Sequence, residues 1–212
     1  MNTTENSLGG RLPLLQPADL SPEQHQLFDH ITATVLPWAQ RDGFAATDAD
    51  GRLIGPFNPS LLSPSIATAL LALQAAEETH TSLDKRVREI VILTVGALWQ
   101  APYELYAHSA VASRAGLSPS VVAALAAGGM PDRLSDAEQI AHHFARALTA
   151  DHHVDADLYS QVTQIYGAAG VFEITVLAGT YHAVCGILNV FAIPAPQPLH
   201  SSLGTVRLRG YR

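Results

Sequence analysis

The chain has a single cysteine, Cys185, in 212 residues, and that scarcity removes whole classes of chemistry. One thiol closes no disulfide within the chain, forms no Cys-x-x-Cys redox pair and supplies no multi-thiolate zinc site. Basic residues are scarce as well. With 12 Lys+Arg against 19 Asp+Glu the net charge is −7, and the few cations are not gathered into a stripe that would track phosphates, so nucleic acid is not an expected partner. Long apolar runs are missing too: the most apolar stretch, Ile90 to Trp99, is about half the ~20 residues a membrane-spanning helix needs. The first residues carry no basic region leading into an apolar one. The expectation is a soluble, cytoplasmic protein with no membrane partner. What the chain does have is 48% hydrophobic residues, enough for one domain that buries roughly 70% of its unfolded surface without disulfides or metals.

Helical signals dominate. The first ten residues are polar and end in Gly9-Gly10, the composition of a disordered leader. Ser21-Pro22-Glu23-Gln24 then reads as a capping box with proline in the first turn. Leu27, Ile31 and Val35 recur at i, i+4, i+8, a helix that Pro37 is expected to end. From Trp38 to Ser63 the pattern fails, and Asp42-Gly43, Asp50-Gly51 and Gly55-Pro56-Phe57-Asn58-Pro59 mark a long connection. A loop of that length is usually functional or an oligomer contact. Beyond Ser63 the chain reads as helix nearly throughout. Ile66, Leu70 and Leu73 make one stripe, and Val87 to Leu98 is apolar nearly all round, as only a central helix is. Further helix starts fall near Pro102, at Ser118-Pro119, at the capping box Ser135-Asp136-Ala137-Glu138, near Asp155 and near Gly170. No alternating-polarity strand stands out, and Ala192-Ile193-Pro194-Ala195-Pro196-Gln197-Pro198 reads as an extended tail.

The densest polar group inside apolar sequence is Tyr103-Glu104-Leu105-Tyr106-Ala107-His108. Glu104 and His108 are i, i+4 neighbours on a helix, so carboxylate and imidazole can touch or act on one ligand. A carboxylate raises a histidine's proton affinity and burial lowers it, so such a pair can be set near neutral pH, where proton transfer is most efficient. An exposed ion pair would give the same spacing. Glu89 stands at the mouth of the most apolar helix, where the helix dipole or Lys85 alone would explain it. His142-His143 and His152-His153 lack a third ligand at a recognisable spacing, so no metal site is expected, and surface or helix-end roles suit them better. Cys185 fits a small core residue. His182, beside Tyr181 in the last apolar helix, is placed to line a pocket, although a core histidine bonded to a carbonyl is the ordinary alternative.

Arg86-Val87-Arg88-Glu89-Ile90-Val91-Ile92-Leu93-Thr94-Val95, then Tyr103 to Ala112, then Ala115-Gly116-Leu117-Ser118, resemble the signature of the carboxymuconolactone decarboxylase family of the alkylhydroperoxidase D-like (AhpD-like) superfamily. The strongest likeness covers about Leu83 to Gly129. It implies an all-α, AhpD-like subunit in a homo-oligomer, trimer or hexamer. In the peroxidase branch a glutamate is followed by a Cys-x-x-Cys pair and a histidine. Counted from Glu89, those thiol positions hold Ala101 and Glu104 here, and the histidine position holds His108. The resemblance therefore implies a branch that keeps the carboxylate and imidazole of the relay without its thiols, and thiol peroxidase chemistry does not carry over, because the attack needs a thiolate.

In the decarboxylase branch a small carboxylated lactone loses carbon dioxide while a protein acid delivers a proton to carbon, with no cofactor. On that reading His108 is proton donor or shuttle, Glu104 and Glu89 orient it or exchange protons with it, and Arg88 holds a substrate carboxylate. Tyr103 shapes an aromatic wall. Phe57 and Asn58 reach the substrate if the extra N-terminal segment covers the pocket. The expected organisation is an N-terminal extension over residues 1–62, a helical domain over 63–191 and an extended tail over 192–212. The rival readings are a binding or assembly protein on the same fold and a peroxidase-like enzyme using another redox group.

Overall fold

The computed structural model describes residues 8–196. Eight α-helices run in chain order: α1 Pro22–Asp42, α2 Phe57–Ser60, α3 Pro64–His80, α4 Lys85–Trp99, α5 Pro102–Arg114, α6 Pro119–Ala126, α7 Asp136–Arg146 and α8 Ala156–Val190. Among the described residues β-structure is limited to one isolated antiparallel bridge, Thr47 with Leu53.

Sequence chemistry sets most of the helix starts. Ser21 and Ser135 cap α1 and α7 through capping boxes with Gln24 and Glu138, Asp84, Ser118 and Asp155 cap α4, α6 and α8 with side-chain oxygens, and proline opens α1, α3, α5 and α6. Each cap satisfies backbone N–H groups that the first helical turn leaves unpaired. α4 is the central helix: every residue from Val87 to Gly96 is buried, and α5, α6, α7 and α8 pack around it. α8 breaks at Gly167, whose φ of 67° and ψ of 173° are non-helical, and glycine tolerates that conformation without a Cβ penalty. After the break Gly170, Ile174, Leu177, Tyr181, Val184 and Leu188 are buried at the three- and four-residue spacing of a core-facing stripe. By length and composition alone α8 is long and apolar enough to cross a membrane.

Four expectations need correction. Pro37 does not end α1, which continues to Asp42 and stops at Gly43 with φ 92°. Leu27, Ile31, Val35 and Ala39 form one buried stripe across the proline, so packing outweighs the cost of about 3 kcal/mol for a proline inside a helix. The stripe Ile66, Leu70, Leu73 does not face the core: Ile66 is 73% and Leu73 41% exposed, and Ala67 is the buried residue of α3. Residues 8–10 are not a loose leader. Gly9 is buried, Gly10 turns with φ 64° against Phe191 and Ala192, and Arg11 N–H donates to the Phe191 carbonyl at 2.7 Å. The rest of the leader, residues 1–7, and the tail beyond residue 196 lie outside the described residues. His142 is no surface residue but is buried in α7, with Nδ1 unpaired among the described residues; burial, then His143 and Arg146, lower its pKa to about 4 and keep it neutral.

Candidate active site

Glu89 lies in the first half of α4, and Glu104 and His108 lie one turn apart on α5. The α4–α5 connection is tight: Gln100 takes φ 50° as the α4 cap, and Ala101 N–H bonds the Gly96 carbonyl at 3.1 Å. A Cβ at Gly96 would stand 3.2 Å from Glu104 Cγ, so the missing side chain lets α5 lie close against α4. All three side chains are at least nine-tenths buried. His108 Nδ1 donates to Glu89 Oε2 at 2.8 Å. On the other side of the ring Nε2 lies 3.3 Å from Glu104 Oε1, but out of hydrogen-bonding alignment, so this oxygen is buried and unpaired among the described residues.

Burial works against a charged His108, yet Glu89 and Glu104 outweigh it and raise the imidazole to about 9, so it is imidazolium at neutral pH. Burial raises Glu104 to about 7; His108 lowers it only in part, and Glu89 adds to the rise. The site thus holds a cation clamped on one side and, on the other, a carboxyl that gains or loses its proton near neutral pH, the property a general acid–base group requires.

The pair borders a cavity of about 40 Å³ lined by Trp38, Phe44, Pro56 and Phe57 of the N-terminal segment and by Gln74, Tyr103, Ala107, Tyr181 and Val184. Tyr181 meets the His108 ring edge to face, centroids 5.0 Å apart at 88°. Burial, with Glu104 and Glu89 adding to it, holds its phenol well above the ordinary range. Tyr103 anchors the covering segment: its hydroxyl donates to the Ala45 carbonyl at 2.6 Å, while Tyr106 accepts from Ala45 N–H at 3.0 Å.

Of the residues singled out from sequence, Glu104, His108, Tyr103 and Phe57 line this cavity and Glu89 backs it through His108. Three do not reach it. Arg88 donates to the Glu77 carbonyl at 2.9 Å and pairs with Glu78 at 3.2 Å, which commits its guanidinium to the end of α3. Asn58 is fully buried but binds chain rather than cavity, accepting from Leu15 N–H at 3.0 Å and donating to the Pro13 carbonyl at 3.2 Å. His182 points from the other side of α8 toward Thr149, with Nε2 to Oγ1 2.9 Å, and Tyr181 takes the cavity position instead. Sequence reasoning misses Trp38, Phe44 and Gln74. The first two lie where the apolar periodicity lapses, and Gln74 is one polar residue on a helix with one buried position; no local pattern marks any of them. Cys185 is wholly buried, and burial, reinforced by Glu104, pushes its thiol far up. No group of three or more His, Cys, Asp or Glu arranged to share a metal ion occurs among the described residues.

Residues 64–148 match the carboxymuconolactone decarboxylase family model, and no curated protein matches the chain in sequence. Among solved structures the chain is similar to an uncharacterized peroxidase-related protein with an alkylhydroperoxidase AhpD core from Ralstonia eutropha JMP134 (16% identity, TM-score 0.70, covering 89% of this chain and 93% of that one). A peroxidase-related protein from Silicibacter sp. TM1040 shares 16% identity at TM-score 0.69, covering 92% of this chain and 96% of that one. The debrominase Bmp8, as a cysteine-to-alanine variant in complex with 2,3,4-tribromopyrrole, shares 17% identity at TM-score 0.67, covering 92% and 94%. At these identities the likeness is one of fold, and the fold is the all-α AhpD-like one. The family match spans α3 to α7, the stretch that carries Glu89, Glu104 and His108.

Proposed function

We propose that the chain is a cofactor-independent acid–base enzyme that moves a proton on a small ring substrate, isomerising an unsaturated lactone or a similar compound. The observation that carries this reading is the buried Glu89–His108–Glu104 array, of which Glu104 and His108 line the cavity. In the forward step the ionised Glu104 removes a proton from the carbon next to the substrate carbonyl. The electron pair of that C–H bond moves into an enolate, and the imidazolium of His108, held by Glu89, offsets the charge. The protonated Glu104 then returns the proton to the far end of the conjugated system, so acid and base are restored. Decarboxylation is the second reading and is favoured by the family match. There the C–C bond to the carboxylate breaks, carbon dioxide leaves, and the protonated Glu104 supplies the proton to the carbon that keeps the electron pair.

Thiol-based peroxidase chemistry has no support in this chain, since Ala101 and Glu104 stand where the peroxidase branch has its thiols and Cys185 is buried apart. The test is direct assay of the purified protein with a β,γ-unsaturated γ-lactone and with 4-carboxymuconolactone, following isomerisation and carbon dioxide release. Glu104→Gln and His108→Ala should each lower turnover by about 10²–10⁴-fold, the contribution of a positioned acid or base. Unchanged turnover in both variants would overturn the assignment, and a folded protein that turns over neither compound would favour the rival binding role.

We further propose residues 1–62 as a cap on a catalytic unit of residues 63–191, working in the cytoplasm as a homotrimer or hexamer. Leu62, Ile66 and Leu73 form an exposed apolar row along the α3 side, the kind of surface that marks an interface. Light scattering should give a trimer or hexamer, and Ile66→Glu should dissociate it; a wild-type monomer refutes the assembly.

A further inference from the structure

The array beside the cavity sets two carboxylates, Glu89 and Glu104, against a single imidazolium, His108, and is net negative once Glu104 is ionised. Its one cation, His108, is engaged by Glu89 at 2.8 Å and faces Glu104 at 3.3 Å. Neither lysine nor arginine lines the cavity among the described residues. Arg88, the nearest guanidinium in chain position, is committed to Glu77 and Glu78. Glu104 itself lines the cavity, and its Oε1 makes no hydrogen bond among the described residues. A ligand carboxylate placed here would lose water and stand against Glu104, with His108 already shared between two carboxylates, an unfavourable arrangement.

Two hydrogen-bonding groups on the walls are, by contrast, uncommitted: the Tyr181 hydroxyl and the Gln74 side-chain amide line the cavity and make no hydrogen bond among the described residues. Both can donate to a carbonyl oxygen. The remaining walls are aromatic or aliphatic, from Trp38, Phe44, Phe57 and Val184.

We infer that the substrate of this site is an uncharged planar ring compound bearing a carbonyl or hydroxyl oxygen, received by Tyr181 and Gln74, and that ionised carboxylic acids are excluded by Glu104. This rests on the reading of the cavity as the place where substrate binds, and within that reading it favours the lactone isomerisation over the loss of carbon dioxide. The cavity, about 40 Å³, is smaller than the engineered cavity of about 150 Å³ that accommodates benzene, so a five-membered ring requires its walls to give.

The inference is tested by binding, which does not depend on turnover. 2-Acetylfuran and 2-furoate have nearly the same shape and differ by one negative charge. Calorimetric titration of the full chain at pH 8 should show acetylfuran binding at least about tenfold more tightly than furoate, with Glu104→Gln reducing that preference several-fold by removing the repelling charge. Tyr181→Phe and Gln74→Ala should each weaken acetylfuran about five- to tenfold while leaving the fold intact by circular dichroism, the loss of one net hydrogen bond. Furoate binding as tightly as acetylfuran overturns the inference. So does a preference that Glu104→Gln leaves unchanged, or a failure of both probes to bind. A protein that prefers acetylfuran in this way but catalyses neither proposed reaction would refute the proposed function and leave the ligand class standing.

Discussion

Replacing Glu104 with glutamine should stabilise the protein, and by an amount that grows with pH. The carboxyl titrates at about 7 in the folded chain against 4.5 for an ordinary glutamate, because burial outweighs the attraction of His108. Below pH 4.5 both the folded and unfolded chains hold the proton, and the group adds nothing to the balance. Between pH 4.5 and 7 the unfolded chain ionises first, so folding is progressively penalised, and above 7 the penalty is complete. At about 1.4 kcal/mol for every tenfold change in proton affinity, the penalty amounts to about 3 kcal/mol. Glutamine has the shape of the neutral acid and never incurs this penalty. His108 remains charged through most of this range: its pKa is raised from 6.5 to about 9, so its own contribution is fully present below 6.5 and is lost only as pH rises through 9. Glu104 is one of the groups that raise it, so the variant loses part of that contribution and the gain at pH 8 is an upper figure.

Urea unfolding of wild type and Glu104→Gln at pH 4.5 and pH 8 measures the difference directly. The expected result is near equality at pH 4.5 and a gain of about 2–3 kcal/mol for the variant at pH 8. A variant that is less stable than wild type at pH 8, or a difference of the same size at both pH values, would refute the account of a buried carboxyl whose ionisation opposes folding. The variant should at the same time be the poorer catalyst, since stability and function compete for the same buried charge.

Two further outcomes follow from packing. Gly55 has φ 64°, and a Cβ there would overlap the Tyr103 ring; Gly55→Ala should cost about 3 kcal/mol or more in thermal or urea unfolding, from backbone strain and overpacking together, and a neutral effect would mean that the covering segment packs differently. Cys185 is wholly buried and its thiol is pushed up by burial, so iodoacetamide should leave the native protein unmodified and label it only in denaturant, while Cys185→Ser keeps full turnover; rapid native labelling, or a folded serine variant without activity, would refute its role as a packing residue.

The carboxylate–imidazole pair is legible in the sequence because it is local: Glu104 and His108 sit one helical turn apart whatever surrounds them, and helical geometry alone puts them side by side. Glu89 is nineteen residues from His108, and only the spacing shared with a family suggests their meeting. The covering aromatics illustrate the opposite case. Trp38 and Phe44 lie at and just beyond the end of α1, where the sequence reads as non-helical from Pro37 onward. A single proline is a local signal with a cost of about 3 kcal/mol, and the buried stripe from Leu27 to Ala39 overrides it through contacts that the local sequence does not contain.

By itself the sequence determined the helices and most of their starts, through serine and aspartate caps and first-turn prolines whose hydrogen bonding is complete within a few residues. It also determined which helix is central, since a segment apolar on every side can be satisfied only from all sides. The tertiary structure decided where the polar side chains go. Arg88, Asn58 and His182 are chemically suited to a substrate site, but each has a nearer partner on another element, in Glu77 and Glu78, in Pro13 and Leu15, and in Thr149. The Tyr181 hydroxyl and the Gln74 amide make no hydrogen bond among the described residues and are left to the cavity. The type of a side chain is written in the sequence, whereas whether its hydrogen bonds are already made depends on segments brought together only when α1, α3, α5 and α8 enclose the same space.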